Sequence, residues 1–194
     1  MDDLVNLTRN ALSSRVKKSI NNPTMVSASV LLLIYPKSDI THMLLNRRSE
    51  LVTDHKREIS LPGGRKESID RNSWDTALRE ANEEMGIEPN DVEILGELDD
   101  TVTNTNYLIS PVVGTIRESY PFKPNPKEVQ NIIEIPLIEL SKPASLRYDS
   151  KIEAGEIVTK PAYAYKGNLV YGATANILYQ LLTQIHNSSK KDIL

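Results

Sequence analysis

Hydrophobic positions along the chain change their spacing several times, and each change marks an element. Leu4, Leu7, Ala11 and Leu12 recur at helical intervals and are followed by Arg15, Lys17 and Lys18. This predicts an amphipathic packing helix over about 4–19, with cations in its last turn where they suit the helix dipole. Asn21-Asn22-Pro23 breaks it. The run from Val26 to Tyr35, rich in Val, Ile and Leu, reads as a central strand buried on both faces. After a turn at Pro36 to Asp39, Met43-Leu44-Leu45 reads as the next strand. That hairpin would deliver Arg47 and Arg48 to a strand end.

Trp74, Ala77, Leu78, Ala81 and Met85 return to helical spacing, an apolar stripe expected to pack on a core. Asn72 suits its N-cap, Asp75 its first turn and Gly86 its C-terminal stop. Val92 to Leu98 and Leu108 to Ile116 read as two strands joined by a long polar loop. Pro121, Pro124 and Pro126 make an extended segment ending in Lys127-Glu128-Val129. Ile132 to Pro136 reads as a short strand and Leu137 to Leu140 as one helical turn. A late hairpin is expected from Ile157 to Tyr165 and Leu169-Val170 around Lys166-Gly167-Asn168. Ile177, Leu178, Leu181, Leu182 and Ile185 form the stripe of a closing helix. The stretch shows no repeat and no linker, so a single domain over 1–194 is expected.

Composition narrows the function. A formal charge of −3 and 25% charged residues, with pI ≈ 5.7, give no basic excess for nucleic acid, which is not expected as a partner. There is no cysteine, so disulfides, thiolate metal sites and a Cys nucleophile are excluded. Val30 to Tyr35 is too short to span a bilayer, and Met1-Asp2-Asp3 does not start a signal peptide. A cytoplasmic protein without a membrane partner is expected, and a homodimer is left open.

Charge changes the picture on the central helix. Arg79, Glu80, Glu83 and Glu84 crowd within two turns, and carboxylates three and four residues apart share a face and repel. Arg79 counters one of them. A hard divalent cation such as Mg²⁺ or Mn²⁺, which takes oxygen ligands and keeps several waters, would counter the rest. Upstream, Pro62-Gly63-Gly64 reads as a turn whose backbone a metal or phosphate can approach closely. The loop from Ser49 to Ser60 carries His55, Lys56 and Arg57; a solvated loop and a lid or anion contact fit it equally. His42 and His186 have no partner pattern and read as structural or exposed.

The run Arg79-Glu80-Ala81-Asn82-Glu83-Glu84-Met85-Gly86-Ile87 resembles the second half of the Nudix box. Counted from Gly64, the box's first acid falls on Asp70, one residue further from Arg79 than in the usual form. That longer loop is similar to the coenzyme A diphosphatase branch of the family. Leu44-Leu45-Asn46-Arg47-Arg48-Ser49, followed by Leu61-Pro62-Gly63-Gly64, resembles that branch's upstream signature. Asn46, Thr53, Arg57 and Leu61 stand where Thr, Arg, Gly and Phe are usual.

The resemblance implies an α/β fold with a mixed β-sheet sandwiched between α-helices. It implies Glu80 and Glu84 as metal ligands, Glu83 as a further ligand or the base, the Gly64 carbonyl as a ligand, and Arg79 as the residue that orients the acids. Glu128 matches an acid of a substrate-side loop, although a solvated Glu fits as well. Arg47, Arg48, Arg57 and Gly63 are the expected substrate contacts. The implied activity is metal-dependent hydrolysis of a small nucleoside diphosphate-linked substrate. Coenzyme A, cut to adenosine 3′,5′-bisphosphate and 4′-phosphopantetheine, comes first. ADP-ribose, dinucleotides or nucleoside triphosphates follow, and a non-hydrolytic nucleotide-binding module ranks last because the acids are all present.

Overall fold

The computed structural model describes residues 4–191 apart from 14, 53, 54 and 154, so the departure at Thr53 lies outside the described residues. In chain order the elements are α1 (Leu4–Ser13), β1 (Val26–Lys37), β2 (Ile40–Arg48), β3 (Ile59–Ser60), β4 (Gly63–Arg65), α2 (Ser73–Met85), β5 (Glu93–Glu97), β6 (Thr101–Val102), β7 (Tyr107–Thr115), β8 (Val129–Pro136), α3 (Leu137–Leu140), β9 (Leu146–Glu153), β10 (Glu156–Tyr165), β11 (Asn168–Val170) and α4 (Gly172–Lys191).

β1 organises the main sheet. It runs parallel to β7 and antiparallel to β2 and β4, in the order β3-β2-β1-β7-β5, with β8 added to β2 and β6 to β7. Leu31 to Tyr35 are all buried, as a strand covered on both faces must be. Their alternation divides the core. Leu31, Leu33 and Tyr35 pack toward α2 with Ala77, Ala81 and Met85, whereas Leu32 and Ile34 pack toward α1 and α4 with Leu12, Ile177, Leu178 and Leu181. The expected mixed sheet between helices is therefore the fold. β9, β10 and β11 form a second, three-stranded antiparallel sheet.

Several expectations are corrected. α1 stops at Ser13, and Arg15, Lys17 and Lys18 do not sit in its last turn. They are drawn instead to acids some eighty residues away. Arg15 and the Lys18 N–H reach Asp99, and Lys17 lies 3.1 Å from Glu97 and 2.9 Å from Asp100. The Gly-Gly stretch is not a turn but the short strand β4, paired to Ala28, Ser29 and Val30. The loop after β5 contains β6, which folds back on β7. β9 has no counterpart among the expected strands.

Trp74 is not part of the core. The buried apolar contacts of α2 run through Ala77, Ala81 and Met85, and Trp74 in the first turn stays 42% exposed.

Candidate active site

α2 has ends its sequence specifies. Asn72 accepts the N–H groups of Trp74 and Asp75 at 2.9 and 3.0 Å. Gly86 takes the left-handed conformation (φ 65, ψ 32), and its N–H bonds back to the last turn. The proline segment then crosses this end: Lys123 N–H donates to Met85 O and Asn125 N–H to Glu84 O, both at 2.8 Å. Two C-terminal carbonyls are thereby satisfied. The Asn125 side chain also donates to Glu128 at 3.0 Å, which fixes Glu128 beside the helix acids.

α2 packs against β1 and β4 through alanines, so its acids reach the strands. A Cβ on Gly64 would lie 2.4 Å from the Glu80 carboxylate, and one on Gly63 would lie 2.4 Å from Ser29 O. Only hydrogen fits at either position.

The three glutamates have different surroundings. Glu83 is the outermost, its side chain 52% exposed. The Glu80 side chain is 15% exposed, and burial raises its pKa against the lowering effect of Arg79. Glu84 is 3% exposed. Asn46 Nδ2 donates to it at 2.8 Å, and Arg48 lies 4.0 Å away. Burial, with Glu128 and Glu80 adding to it, pushes the Glu84 carboxyl up to about 8 despite the opposing charge of Arg48.

Arg79 ties the acids together. Its guanidinium donates to both Asp70 oxygens at 3.1 Å, to Glu80 at 3.0 Å, to Glu83 at 3.2 Å and to Arg65 O at 2.9 Å. Asp70 also accepts from the Glu67 N–H and the Thr76 hydroxyl. Hydrogen bonding to Arg79 outweighs the effect of burial and holds the Asp70 carboxyl down at about 2.

The structure thus gathers Gly63, Gly64, Arg79, Glu80, Glu83, Glu84, Arg48 and Glu128. It does not bring Arg47 or Arg57 to the acids. Successive strand residues face opposite ways, so Arg48 follows Leu44 and Asn46 to the α2 side. Arg47 turns away to Arg57 O (3.1 Å) and Asn168 (2.7 Å), and the Arg57 guanidinium is held by Glu50. His55 bonds Glu58. Asn46 counted in the sequence only as a departure, yet it is buried and joins Glu84 to Ser60. Its parity with Leu44 and Arg48 was the available signal.

A mixed sheet with an acid-bearing helix packed on a glycine strand is a Nudix fold. Two solved structures share it over 92% of this chain. One is a MutT/nudix family protein from Enterococcus faecalis, at TM-score 0.54 and 13% identity over 66% of that chain. The other is a MutT protein from Methanosarcina mazei, at TM-score 0.50 and 15% identity over 99% of that chain.

The NUDIX domain family matches residues 23–152. A protein of Photorhabdus laumondii described as an uncharacterized Nudix hydrolase, NudL, is 36% identical over 158 residues, covering 81% of this chain and 84% of the relative. A Yersinia pestis protein of the same description is 33% identical over 160 residues, covering 81% and 79%. The chain belongs to the Nudix hydrolase family.

Proposed function

We propose that this Nudix hydrolase cleaves the diphosphate of coenzyme A or its derivatives to adenosine 3′,5′-bisphosphate and 4′-phosphopantetheine, with Mg²⁺ or Mn²⁺. The observation that supports the substrate is the upstream signature Leu44 to Ser49 with Leu61 to Gly64, whose two parts meet at the acids. Asn46 and Arg48 reach Glu84 from β2, and Gly64 abuts Glu80 from β4.

The donor set fits a hard divalent cation. Glu84 is a buried carboxylate whose nearest cation, Arg48, stands 4.0 Å off, and such a group favours an added positive charge. Among the described residues no three acids converge into a ready-made cage. Mg²⁺ is usually held by one or two carboxylates, with water and substrate phosphate completing the shell. Glu80 and Glu84 would hold it, with Glu83 and the Gly64 carbonyl as further donors. When bound it would neutralise diphosphate charge and lower the pKa of an attacking water.

The remaining work falls to the chain. Arg79 keeps Glu80 and Glu83 in fixed orientation from Asp70, an anchor that stays charged. Glu83, the outermost acid, would serve as a further ligand or accept the proton of the water. Arg48 and Glu128 flank the same face and would bound the diphosphate.

The second reading, hydrolysis of ADP-ribose, dinucleotides or nucleoside triphosphates, is kept open by Asn46, Thr53, Arg57 and Leu61, which depart from the signature. Relative kcat/KM over coenzyme A, dephospho-coenzyme A, ADP-ribose, diadenosine polyphosphates and nucleoside triphosphates decides between them. Coenzyme A should lead. A higher value for ADP-ribose would move the assignment to the second reading.

A further inference from the structure

The β9–β10 arm carries a surface that the hydrolase site does not use. At its base the arm is core: Tyr163 and Ala162 are buried, and Leu146 packs against the same cluster. Beyond that cluster the same face continues without cover, leaving Tyr148 67%, Ile152 77% and Ile157 77% exposed. Tyr148 and Ile152 lie two steps either side of Ser150 and Ile157 pairs with Ile152, so the three share one face. Among the described residues β9 is hydrogen-bonded on one side only, to β10. It is therefore an edge strand with a row of unpaired backbone groups beside an exposed apolar face.

We propose that β9 pairs antiparallel with β9 of a second copy of this chain about a two-fold axis at Ser150, joining the two small sheets into one of six strands. The strand is complementary to its own reverse. With Ser150 opposite Ser150, Asp149 meets Lys151 of the second copy twice, and Tyr148 meets Ile152 twice. Opposite charges and aromatic to β-branched pairs are the favourable cross-strand neighbours. In the single chain Lys151 and Asp149 neutralise each other along the strand, 3.2 Å apart, so the edge carries no repulsive block of one sign. Sliding the pairing by two residues would set Lys151 against Lys151 in one direction, or Asp149 against Asp149 in the other. One register is thus selected and its neighbours are penalised. A symmetric contact of this kind is closed and stops at two copies.

The test is sedimentation velocity of the full chain at about 100 μM, above the micromolar Kd that a small contact of this kind gives. Wild type should sediment at twice the 21.8 kDa chain mass. Asp149→Lys alone and Lys151→Asp alone should each sediment as monomers, because each places like charges opposite each other twice. An equimolar mixture of the two variants should return to the dimer, since two lysine positions then face two aspartate positions. A monomeric wild type, single variants that dimerise like wild type, or a mixture that stays monomeric would each overturn the proposal.

Discussion

The two faces of β1 are built to different rules. Toward α4, the sheet meets Ile177, Leu178, Leu181 and Ile185, large aliphatic side chains with no polar group among them. Toward α2, it meets Ala77 and Ala81, and beside them lie a buried Glu84, a buried Asp70 and two glycines with no room for a Cβ. Small residues let α2 approach closely enough for its acids to touch the strands, at the expense of apolar area. The α4 face supplies that area, since each Å² of buried apolar surface is worth roughly 25 cal/mol. Stability resides mainly on one face and chemistry on the other, so substitutions should separate the two properties.

The largest effect should come from Glu84→Gln. Turnover at saturating Mg²⁺ should fall on the order of a thousandfold, about 4 kcal/mol of barrier. The thermal midpoint should hold or rise, because a buried carboxylate has been replaced by a neutral side chain of the same shape. Near-wild-type turnover would remove Glu84 from the ligand set.

Leu181→Ala should do the reverse. Urea unfolding should show a loss of about 3 kcal/mol, as for a fully buried Leu, with kcat of the folded enzyme unchanged. A kcat loss matching that of the Glu84 variant would abolish the distinction between the faces.

Gly64→Ala should affect both properties. A methyl group would meet the Glu80 carboxylate, so about 1 to 3 kcal/mol of stability should be lost together with most turnover. Full activity in that variant would show that Glu80 is free to move away from β4.

A smaller effect is tied to pH. Burial alone would raise Asp99, but the Lys18 N–H and the Arg15 guanidinium outweigh it and hold the carboxyl below its ordinary value. The stability this contributes is complete above the unfolded carboxylate pKa of about 4 and is lost as pH falls through the lower folded value. In Arg15→Ala, urea unfolding at pH 7 should show a deficit below about 1 kcal/mol, the scale of a partly exposed pair. The deficit should shrink toward pH 2; one that is constant with pH would show that Arg15 acts by packing.

Trp74→Ala should be the mildest, at roughly 0.5 kcal/mol, because the ring is largely at the surface. A loss above about 3 kcal/mol, as for a core Trp, would return the residue to the core.

The parts of this molecule readable in the chain are those set by local rules. The continuous apolar run gave β1, the cap residues gave both ends of α2, and Lys166-Gly167 gave the turn between β10 and β11. What could not be read depends on distant partners. α1 ends early because Asp99 and Asp100 capture the cations expected in its last turn. β9 is not legible because Tyr148 and Ile152 face solvent on an arm, so hairpin pairing rather than core burial makes most of it a strand. Trp74 was misplaced because a stripe gives an angle but not what lies beneath it. The candidate acids were legible as a cluster, but their inequality was not. Which of Glu80, Glu83 and Glu84 is buried depends on β2 and β4, and so does the separation of Arg48 from Arg47.

The central claim, that the acids on α2 cut a diphosphate, is tested most directly by incubating coenzyme A and Mg²⁺ with wild type and with Glu84→Gln side by side and weighing the products. The account predicts masses of adenosine 3′,5′-bisphosphate and 4′-phosphopantetheine from wild type alone. The same two products at the same rate from the Glu84 variant, or no diphosphate cleavage of any nucleotide substrate by wild type, would contradict it.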